Sequence, residues 1–466
     1  MRYMFLTMEA ALFLWTIKSL LFWAYLWQIK EYRLRRFWAE YGSPSKLVSF
    51  WIAGGGRAFR RPKFTLKSVL IMLLAFVPIF SVFMPSLFFL LPPFPVLPAR
   101  FYITFLEFSL GVYFALPFII FALVVMCKLP TRFAREILYI RARRMRERIN
   151  DLVVIGITGS YGKSSTKEFL ARILSRKFNV LKTPENVNTE AGIAKFMLRH
   201  LTPRHQVFVV EIGAYHKGEI KKAALFLRPQ IGVITGISPQ HMALFGSLEK
   251  TKQAKFELIE SLPADGFAVF NGENAHTVLL AANWMGKKML YHPSPLRSDL
   301  PPHYRLNLGA AVEAARYMGM NDEEIESAVK TLEADPRMIK VFTGKSGVMV
   351  ISDAYSENPD GVLAALDMLG ASGKPKKIVI MPCLIELGAA AAGAHHKIGE
   401  KIAEIGAEAV ITTPDNFRDV EQGSGKKAKL ITKTADVIAV LKRETGPETA
   451  ILLEGRLPEA ILNYDF

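Results

Sequence analysis

The segment TGSYGKSSTKE, residues 158–168, combines residue types that bind phosphate. It follows an apolar run and precedes a helical pattern, so its backbone N–H groups and the helix N-terminus would face phosphate oxygens. Lys163 would reach the outer phosphates of a nucleotide, and Ser164 would contact Mg²⁺. The strict pattern GxxxxGK[ST] is not met, because Ile157 stands at the position of its first glycine. We predict nucleotide binding, although a Gly- and Ser-rich turn with a stray lysine has a similar composition. The predicted nucleotide contacts in this loop are Gly159, Ser160, Gly162, Lys163, Ser164 and Ser165.

A carboxylate follows the apolar run that ends at residue 210. Glu211 would stand at the end of a buried strand. There it is suited to hold Mg²⁺ beside the γ-phosphate of a nucleotide, since magnesium prefers carboxylate oxygens. A capping or ion-paired glutamate is the alternative interpretation.

Short β-rich apolar runs alternate with helical stretches from residue 151 onward. This alternation predicts an α/β fold with parallel sheets. Two groups of strands are separated by a helical stretch at 307–332, which indicates two domains, and we find no internal repeat or low-complexity tract. The predicted strands are 152–158, 207–213, 231–237, 267–271, 348–352, 377–381, 409–412 and 450–453.

The basic charge is concentrated in the first third of the 466 residues. Residues 1–150 hold 21 Lys and Arg against 6 Asp and Glu, whereas the remainder holds 38 against 36. A nucleic-acid-binding protein would carry this charge on its folded domains, so we expect no nucleic-acid partner. Basic residues beside apolar runs instead predict a membrane surface and a membrane-lipid partner. Two cysteines alone provide no disulfide framework or CxxC metal site.

Three apolar runs, at 4–27, 69–91 and 101–127, are each long enough to cross a bilayer. The first contains Glu9 and Lys18, so it either spans with buried polar contacts or lies in the interface. The segments 28–65 and 128–150 are rich in Lys and Arg, whereas 92–100 has a single Arg. By the positive-inside rule both basic segments face the cytoplasm. We therefore predict a multi-pass protein of the cell (inner) membrane with cytoplasmic catalytic domains and no cleaved signal peptide. The stretch 131–150 is either a solvated linker helix or a binder of anionic lipid.

An ordered series of motifs after residue 151 resembles the Mur ligase family. GITGSYGKSSTKE is similar to its GxTGTNGKT loop, and the TKE ending is most similar to the branch that adds D-alanyl-D-alanine to UDP-N-acetylmuramoyl-tripeptide. Each match alone is weak, but their order along the chain is specific. The further matching segments are TPENVNTEAGI (183–193), VVEIGAYHKGEI (209–220), ITGISPQHMALFGSLEKTKQAKFEL (234–258), HYRLNLGAA (303–311), ISDAYSENPDG (351–361) and IELG (385–388) with His395.

The resemblance implies an ATP- and Mg²⁺-dependent amide ligase that acts through an acyl phosphate. It would join the carboxylate of a cell-wall precursor to the amine of an amino acid or dipeptide. The expected architecture is a P-loop central domain at 151–335 and a Rossmann-like C-terminal domain at 336–466. About three transmembrane helices in 1–128 and a basic linker helix at 129–150 would precede them.

The resemblance also assigns metal and catalytic roles. His241 would join Ser164 and Glu211 as a magnesium ligand. Lys255 matches the lysine that is carbamylated in the family, a modification that turns an ammonium into a metal-binding anion. Lys252, three residues earlier, is the competing candidate. Lys163, His241, Lys255 and Arg337 are the predicted catalytic residues, with Arg337 meeting the γ-phosphate after domain closure.

The remaining implied contacts are with nucleotide and acceptor substrate. Amide and imidazole groups suit hydrogen bonding to a base edge, although loop and helix-cap chemistry would use the same residue types. The predicted nucleotide contacts are Asn271, Asn274, His303, Asn307, Asp353, Tyr355 and Asn358, and the predicted substrate contacts are Asn186, Asn188 and Glu190.

Two departures from the family pattern leave the substrates open. No counterpart of the UDP-binding N-terminal domain is visible, and apolar runs stand in its place. The KGSR motif near the amine site is replaced by LEGR at 453–456, with Glu454 in place of lysine. A Mur-like ligase that extends a poly-amino acid therefore stays open as an alternative, as does a nucleotide-binding membrane scaffold without ligase activity. An ATP-driven transporter is disfavoured, because three spans with few charges make a poor transport pathway.

Overall fold

The computed structural model describes residues 2–30, 32–34, 37–38, 48, 61–91, 98–238, 247–298, 300–332, 339–354, 359–385, 387 and 390–466. The chain divides into two compact units, Met1–Glu136 and Ile137–Phe466. The first is helical, and the second contains two parallel-type sheets.

The first unit consists of apolar helices that pack against one another. In the described part of the chain, three helices are long and apolar enough to cross a membrane. Their side chains form a shared core that includes Trp23, Ile71, Phe83 and Ile120. A capping box between Thr65 and Ser68 begins the second helix, because each side chain bonds the other's backbone N–H. The helices are α1 (Arg2–Ile29), α2 (Leu66–Leu90) and α3 (Ala99–Met126).

Glu9 and Lys18 of α1 have polar or aromatic neighbours. Glu9 is 1% exposed, and its Oε2 accepts hydrogen bonds from Ser109 at 2.9 Å and Ser86 at 3.4 Å. The Lys18 ammonium lies 4.6 Å from the ring centre of Trp15. These contacts fit a spanning helix whose polar groups face other helices.

The first sheet of the second unit has six parallel strands in the order β2-β3-β1-β4-β5-β6. The strands β2 and β3 lie on one side of β1, and β4 to β6 lie on the other. Ligands of open α/β sheets bind at such a switch point, outside the carboxyl ends of the strands. The predicted α/β fold is confirmed here. The elements are α4 (Lys128–Glu147), β1 (Val153–Thr158), α5 (Lys163–Leu174), β2 (Val180–Lys182), α6 (Glu190–His200), β3 (Val207–Glu211), α7 (Glu219–Leu227), β4 (Ile231–Ile234), α8 (Leu248–Glu260), β5 (Phe267–Asn271), α9 (Ala275–Ala282), β6 (Lys287–Tyr291), α10 (Pro302–Tyr317) and α11 (Asp322–Lys330).

The second sheet has the order β11-β10-β9-β12-β8-β7, and only its edge strand β7 is antiparallel. Its central strands are buried on both faces, as expected when helices cover both sides of a parallel sheet. The elements are β7 (Lys340–Thr343), β8 (Met349–Asp353), α12 (Pro359–Gly370), β9 (Lys376–Met381), α13 (Ala391–Glu404), β10 (Glu408–Ile411), α14 (Phe417–Gly423), β11 (Ala428–Leu430), α15 (Thr434–Glu444), β12 (Thr449–Glu454) and α16 (Glu459–Leu462).

The end of the basic helix α4 is held on the first sheet domain by Arg146. Its guanidinium donates to the carbonyls of Ile149 and Leu152, both at 2.8 Å, and of Leu227 at 3.2 Å. Tyr139 stacks on Phe226. Arg146 is only 7% exposed, so it anchors the helix and does not face a lipid surface.

Candidate active site

The phosphate loop connects β1 to α5, and two of its glycines are required by the backbone. Gly162 caps α5 with φ +74°, and a Cβ there would lie 2.3 Å from Asn307 Oδ1. Gly159 has φ +153°, and its Cβ would lie 2.0 Å from Thr235 Oγ1. Neither position accommodates a side chain, because the loop is pressed against α10 on one side and the end of β4 on the other.

Lys163 folds back over this loop. Its ammonium donates to the carbonyl of Gly159 at 2.9 Å and of Ser160 at 3.4 Å. Burial lowers its pKa, and the Glu211 carboxylate partly offsets that effect. The cation therefore lies within the loop, where it can exchange carbonyl contacts for phosphate oxygens.

Ser164 and Glu211 meet directly at the ends of α5 and β3. The Ser164 hydroxyl donates to Glu211 Oε2 at 2.8 Å, and Asn188 Nδ2 donates to Glu211 Oε1 at 3.1 Å. The buried ammonium of Lys167 lies 3.4 Å from Glu211 Oε2. Burial raises the pKa of Glu211, but Lys163, Lys167 and these hydrogen bonds outweigh it and lower the pKa overall. The carboxylate is thus ionised at neutral pH.

Lys255 approaches the same cluster from α8 and is 3% exposed. Burial and the positive charge of Lys163 lower its pKa to about 7, against the opposing effect of Glu219 and Glu211. Lys252 is more exposed and pairs with Glu249 at 3.3 Å. Of the two lysines, Lys255 is the one that burial keeps partly neutral.

His303 and Asn307 lie one turn apart on α10, which places them on the same face of the helix. Asn307 is 5% exposed and faces Gly162 of the phosphate loop. Burial lowers the pKa of His303 to about 4, so its imidazole is neutral at physiological pH. A neutral imidazole has one donor and one acceptor, which suits a base or ribose edge.

Asn271 and Asn274 hold loops together around the phosphate loop. Asn271 Nδ2 donates to the Thr235 carbonyl at 2.7 Å, and Asn274 caps α9 by accepting from the Thr277 N–H. Asn274 Nδ2 also donates to the hydroxyl of Tyr161 at 3.2 Å. The loop and cap chemistry considered from sequence is therefore present, and their nucleotide contact stays a prediction.

The structure also places Ser160 and the predicted substrate contacts of the 183–190 segment. Ser160 is 2% exposed and its hydroxyl accepts from the Ser238 N–H at 3.1 Å, which braces the loop. Asn186 is exposed with φ +60°, whereas Glu190 is 7% exposed in the first turn of α6. Asn188 contacts Glu211, and its predicted contact with substrate stays a prediction.

Asp353, a predicted nucleotide contact, lies at the carboxyl edge of the second sheet. Asp353 ends β8 and is 7% exposed. Asp360, in the first turn of α12, contributes to raising the pKa of the Tyr161 hydroxyl, after the larger effect of burial. Part of the predicted site lies outside the described residues: His241, Arg337, Tyr355 and Asn358.

Three residues that sequence reasoning missed belong to this arrangement. Lys167 contacts Glu211, Thr235 donates its hydroxyl to the Tyr161 carbonyl, and Tyr161 packs its ring on Gly236. Lys167 lies one helical turn after Lys163, and that spacing was the available signal.

The oxygen donors fit a magnesium ion. A hydroxyl and an ionised carboxylate already converge at Ser164 and Glu211, and Mg²⁺ favours such ligands. Within the described ranges, no group of three or more His, Cys, Asp and Glu is arranged to hold a metal. A site built from these two residues would need further oxygen ligands from Lys255, as a carbamate, or from bound phosphate.

Comparison with known proteins yields a consistent set of relatives. Residues 157–292 match the Mur ligase middle domain, and 336–457 match the Mur ligase, glutamate ligase domain. A UDP-N-acetylmuramoyl-tripeptide--D-alanyl-D-alanine ligase of Synechocystis sp. is 27% identical over 327 residues, covering 65% of this chain and 71% of that protein.

Solved structures agree with this. MurF from Acinetobacter baumannii superimposes with a TM-score of 0.63 at 25% identity, covering 70% of this chain and 79% of that chain. MurF from Thermotoga maritima in complex with ADP has the same fold, with a TM-score of 0.59 at 21% identity over 69% of this chain and 80% of that chain.

Proposed function

The chain belongs to the Mur ligase family of ATP-dependent carbon–nitrogen ligases, and we propose that it is a membrane-anchored member acting on a peptidoglycan or related cell-wall precursor. ATP and a divalent cation are its cofactors. Its substrates in this proposal are a precursor carboxylate and an amino acid or dipeptide amine.

The observation that carries the proposal is the cluster at the carboxyl ends of β1 and β3. Lys163, Ser164 and Glu211 come from the phosphate loop, α5 and β3, and Lys255 enters from α8 within electrostatic reach of both Lys163 and Glu211. Acyl phosphate formation requires charge neutralisation and positioning more than covalent help. This cluster supplies both.

The chemistry in this proposal has two steps. A carboxylate oxygen of the acceptor attacks the γ-phosphorus of ATP and ADP leaves, which gives an acyl phosphate. The amine nitrogen then attacks the acyl carbon, phosphate leaves, and the nitrogen loses a proton. Lys163 and the loop N–H groups would hold the phosphate oxygens, and a magnesium ion held by Ser164 and Glu211 would supply further charge neutralisation.

Lys255 is proposed to carry a carbamate. Only a neutral amine attacks carbon dioxide, and a pKa of about 7 leaves much of Lys255 neutral at physiological pH. The product is a carbamate anion, and a proton is released. The modification therefore replaces the Lys255 ammonium, which Lys163 repels, with an anion that Lys163 attracts. The carbamate would then serve as an oxygen ligand for the divalent cation.

The helices of the first unit are proposed to hold the enzyme at the inner leaflet, where lipid-linked precursors reside. Three helices of sufficient length and apolarity support this. Tethering raises the effective concentration of a lipid-linked acceptor without any new contact. The anchor would thus take over from a domain that binds a soluble UDP-sugar.

Phosphate release by the full-length protein tests the proposal. ATP, Mg²⁺ and UDP-N-acetylmuramoyl-tripeptide would be supplied with and without D-alanyl-D-alanine, and Lys163→Ala serves as the blank. Release that needs acceptor and amine, and is lost in the blank, supports ligation. ATP binding without release under any acceptor and amine favours the scaffold alternative.

A further inference from the structure

Basic residues of the first unit meet at one end of its apolar helices. Lys67 is the second residue of α2, and its ammonium donates to the hydroxyl of Thr131 in the first turn of α4 at 3.3 Å. The same ammonium lies 4.4 Å from the ring centre of Tyr32, in the turn that follows α1. The half-buried Lys67 therefore joins the three chain segments that leave the apolar helices at this end.

The first turns of α4 place two further cations beside Lys67. Lys128, Thr131 and Arg135 lie on one face of this helix, because residues three and four apart are neighbours on a helix surface. Thr131, in the middle of that face, is the residue that Lys67 contacts. The positive charge of Arg135 also lies within electrostatic reach of Lys67. Three cations thus converge on one place.

No carboxylate balances these cations in the part of the chain that the structure describes. Lys67, Lys128 and Arg135 form no ion pair there, whereas Arg143 farther along α4 pairs with Glu147 at 3.1 Å. Glu136 is exposed and lies about 100° around the helix from Arg135, away from the face that carries Thr131. Neighbouring cations repel one another, and a bound anion would relieve that repulsion.

Exposed apolar side chains lie directly beside these cations. Leu66, next to Lys67, is 90% exposed, and Leu129, next to Lys128, is 77% exposed. The cations therefore mark the level at which the apolar surface of the helices ends, on the side that the positive-inside rule assigns to the cytoplasm. Basic pockets between helices at this level bind lipid headgroups, so a lipid fits better than a free anion.

The number of cations indicates the kind of headgroup. A terminal phosphate carries a charge of about −1.5 to −2 at neutral pH and has three strong acceptor oxygens. A phosphodiester carries a single charge and has fewer free oxygens. Two lysines, an arginine and the Thr131 hydroxyl supply donors for every oxygen of a terminal phosphate.

We propose that Lys67, Lys128 and Arg135 form a binding site for the terminal phosphate of a membrane lipid. The lipid chains would cover Leu66 and Leu129. The site rests on the proposed placement of the helices in the membrane, and it goes beyond that placement because it gives the helices a specific ligand in addition to their role as an anchor.

Native mass spectrometry of the full-length protein in a neutral detergent tests the site, with an ATP analogue present to fill the phosphate loop. Phosphatidic acid and phosphatidylglycerol with the same acyl chains are supplied in equal amounts. We expect the native protein to retain phosphatidic acid at least about fivefold more than phosphatidylglycerol. An excess of inorganic phosphate should leave the bound lipid in place, because the acyl chains contribute to binding.

Substitutions locate the preference. Lys67→Gln and Arg135→Gln should each lose most of it. Arg141→Gln is the matched control, because Arg141 is exposed on the same helix beyond the cluster and its substitution removes the same charge. This variant should keep the native preference.

Three outcomes overturn the site. The first is equal retention of the two lipids by the native protein. The second is a phosphatidic acid preference that survives in Lys67→Gln and Arg135→Gln variants which still bind the ATP analogue. The third is complete displacement of the lipid by inorganic phosphate, which would make the cluster a site for a free anion. A full-length protein that is soluble without detergent and binds neither lipid contradicts the membrane anchor itself, and the site with it.

Discussion

At the scale of single residues, Lys255 combines burial, proximity to a second ammonium and a pKa of about 7. Its proposed carbamate needs the neutral amine, so the carbamylated fraction falls as the pH drops below about 7. Lys255→Arg keeps a cation that cannot be carbamylated. We expect this variant to lose on the order of 10²-fold in ligation rate, as when one charge-stabilising group is removed from an active site.

Lys252→Arg is the matched control, because Lys252 lies three residues earlier on the same helix and pairs with Glu249. It should keep the native rate. The direct readout is a carbamate carbon signal in the NMR spectrum of the folded, full-length protein supplied with carbon-13 bicarbonate, which should be present in the native protein and absent from Lys255→Arg. Native activity in Lys255→Arg would remove the carbamate from the account.

Glu454 predicts a pH dependence of stability. Burial, and next the negative charge of Asp353, raise its folded-state pKa well above the ordinary value of 4.5, so between the two values the folded chain holds a proton that the unfolded chain has released. The free energy of unfolding therefore decreases as the pH rises above about 4.5, and it levels off above the folded pKa. The free energy of unfolding would be measured in urea between about pH 5 and pH 8 for the native protein and for Glu454→Gln. It should decrease less steeply with pH in the variant. The same slope in both proteins would contradict the burial of an unpaired carboxyl.

At the scale of elements, the phosphate loop is fixed by its contacts with α10. Gly162→Ala places a Cβ 2.3 Å from Asn307 Oδ1 in a left-handed backbone. The backbone alone costs roughly 1–2 kcal/mol. Displacement of Asn307 should add a loss of ATP affinity of about tenfold or more, measured by calorimetry.

Gly218→Ala separates the loss of stability from the loss of ATP affinity. Gly218 also caps a helix with positive φ, but a Cβ there meets nothing within 4 Å. It should lower stability by a similar amount and leave ATP affinity unchanged. Equal loss of ATP affinity in both variants would mean that general destabilisation, and not the loop, is responsible.

The sequence predicted the buried strands and missed the edge strands, for a physical reason. The eight predicted strands are central or near-central and appear as continuous apolar runs. In β6 the first four residues are exposed, and β7 is exposed throughout. The strands β2 and β11 have three residues each. Short or solvated edge strands leave too little apolar pattern to detect.

Only the locally encoded part of the candidate site could be predicted from the sequence. The structure brings the predicted residues Ser164 and Glu211 into contact, and they were open to prediction because loop and strand-end positions are encoded locally. The contact of Lys167 with Glu211 and the register pairing of Asp353 with Glu454 depend on which elements become neighbours, and a single sequence does not contain that information.

At the scale of the whole molecule, the anchor and the sheet domains should have separable effects. Removing residues 1–128 should leave ATP affinity unchanged, because the described nucleotide-site residues all lie beyond that point. The rate toward an acceptor presented on vesicles should fall by about 10²-fold or more, since tethering no longer concentrates enzyme and acceptor together.

A soluble acceptor is the control for this comparison. It should be used equally well with and without the first 128 residues. Equal rates on vesicles for both chains would contradict the proposed role of the helices.

In the proposed reaction, ATP activates a carboxylate for attack by an amine. Its most direct test is to label the acceptor carboxylate with heavy-isotope oxygen and to analyse the released phosphate by mass spectrometry. We expect one labelled oxygen in each phosphate, because the acyl phosphate breaks at its carbon–oxygen bond. Unlabelled phosphate, with the label wholly retained in the acceptor, would contradict ligation through an acyl phosphate.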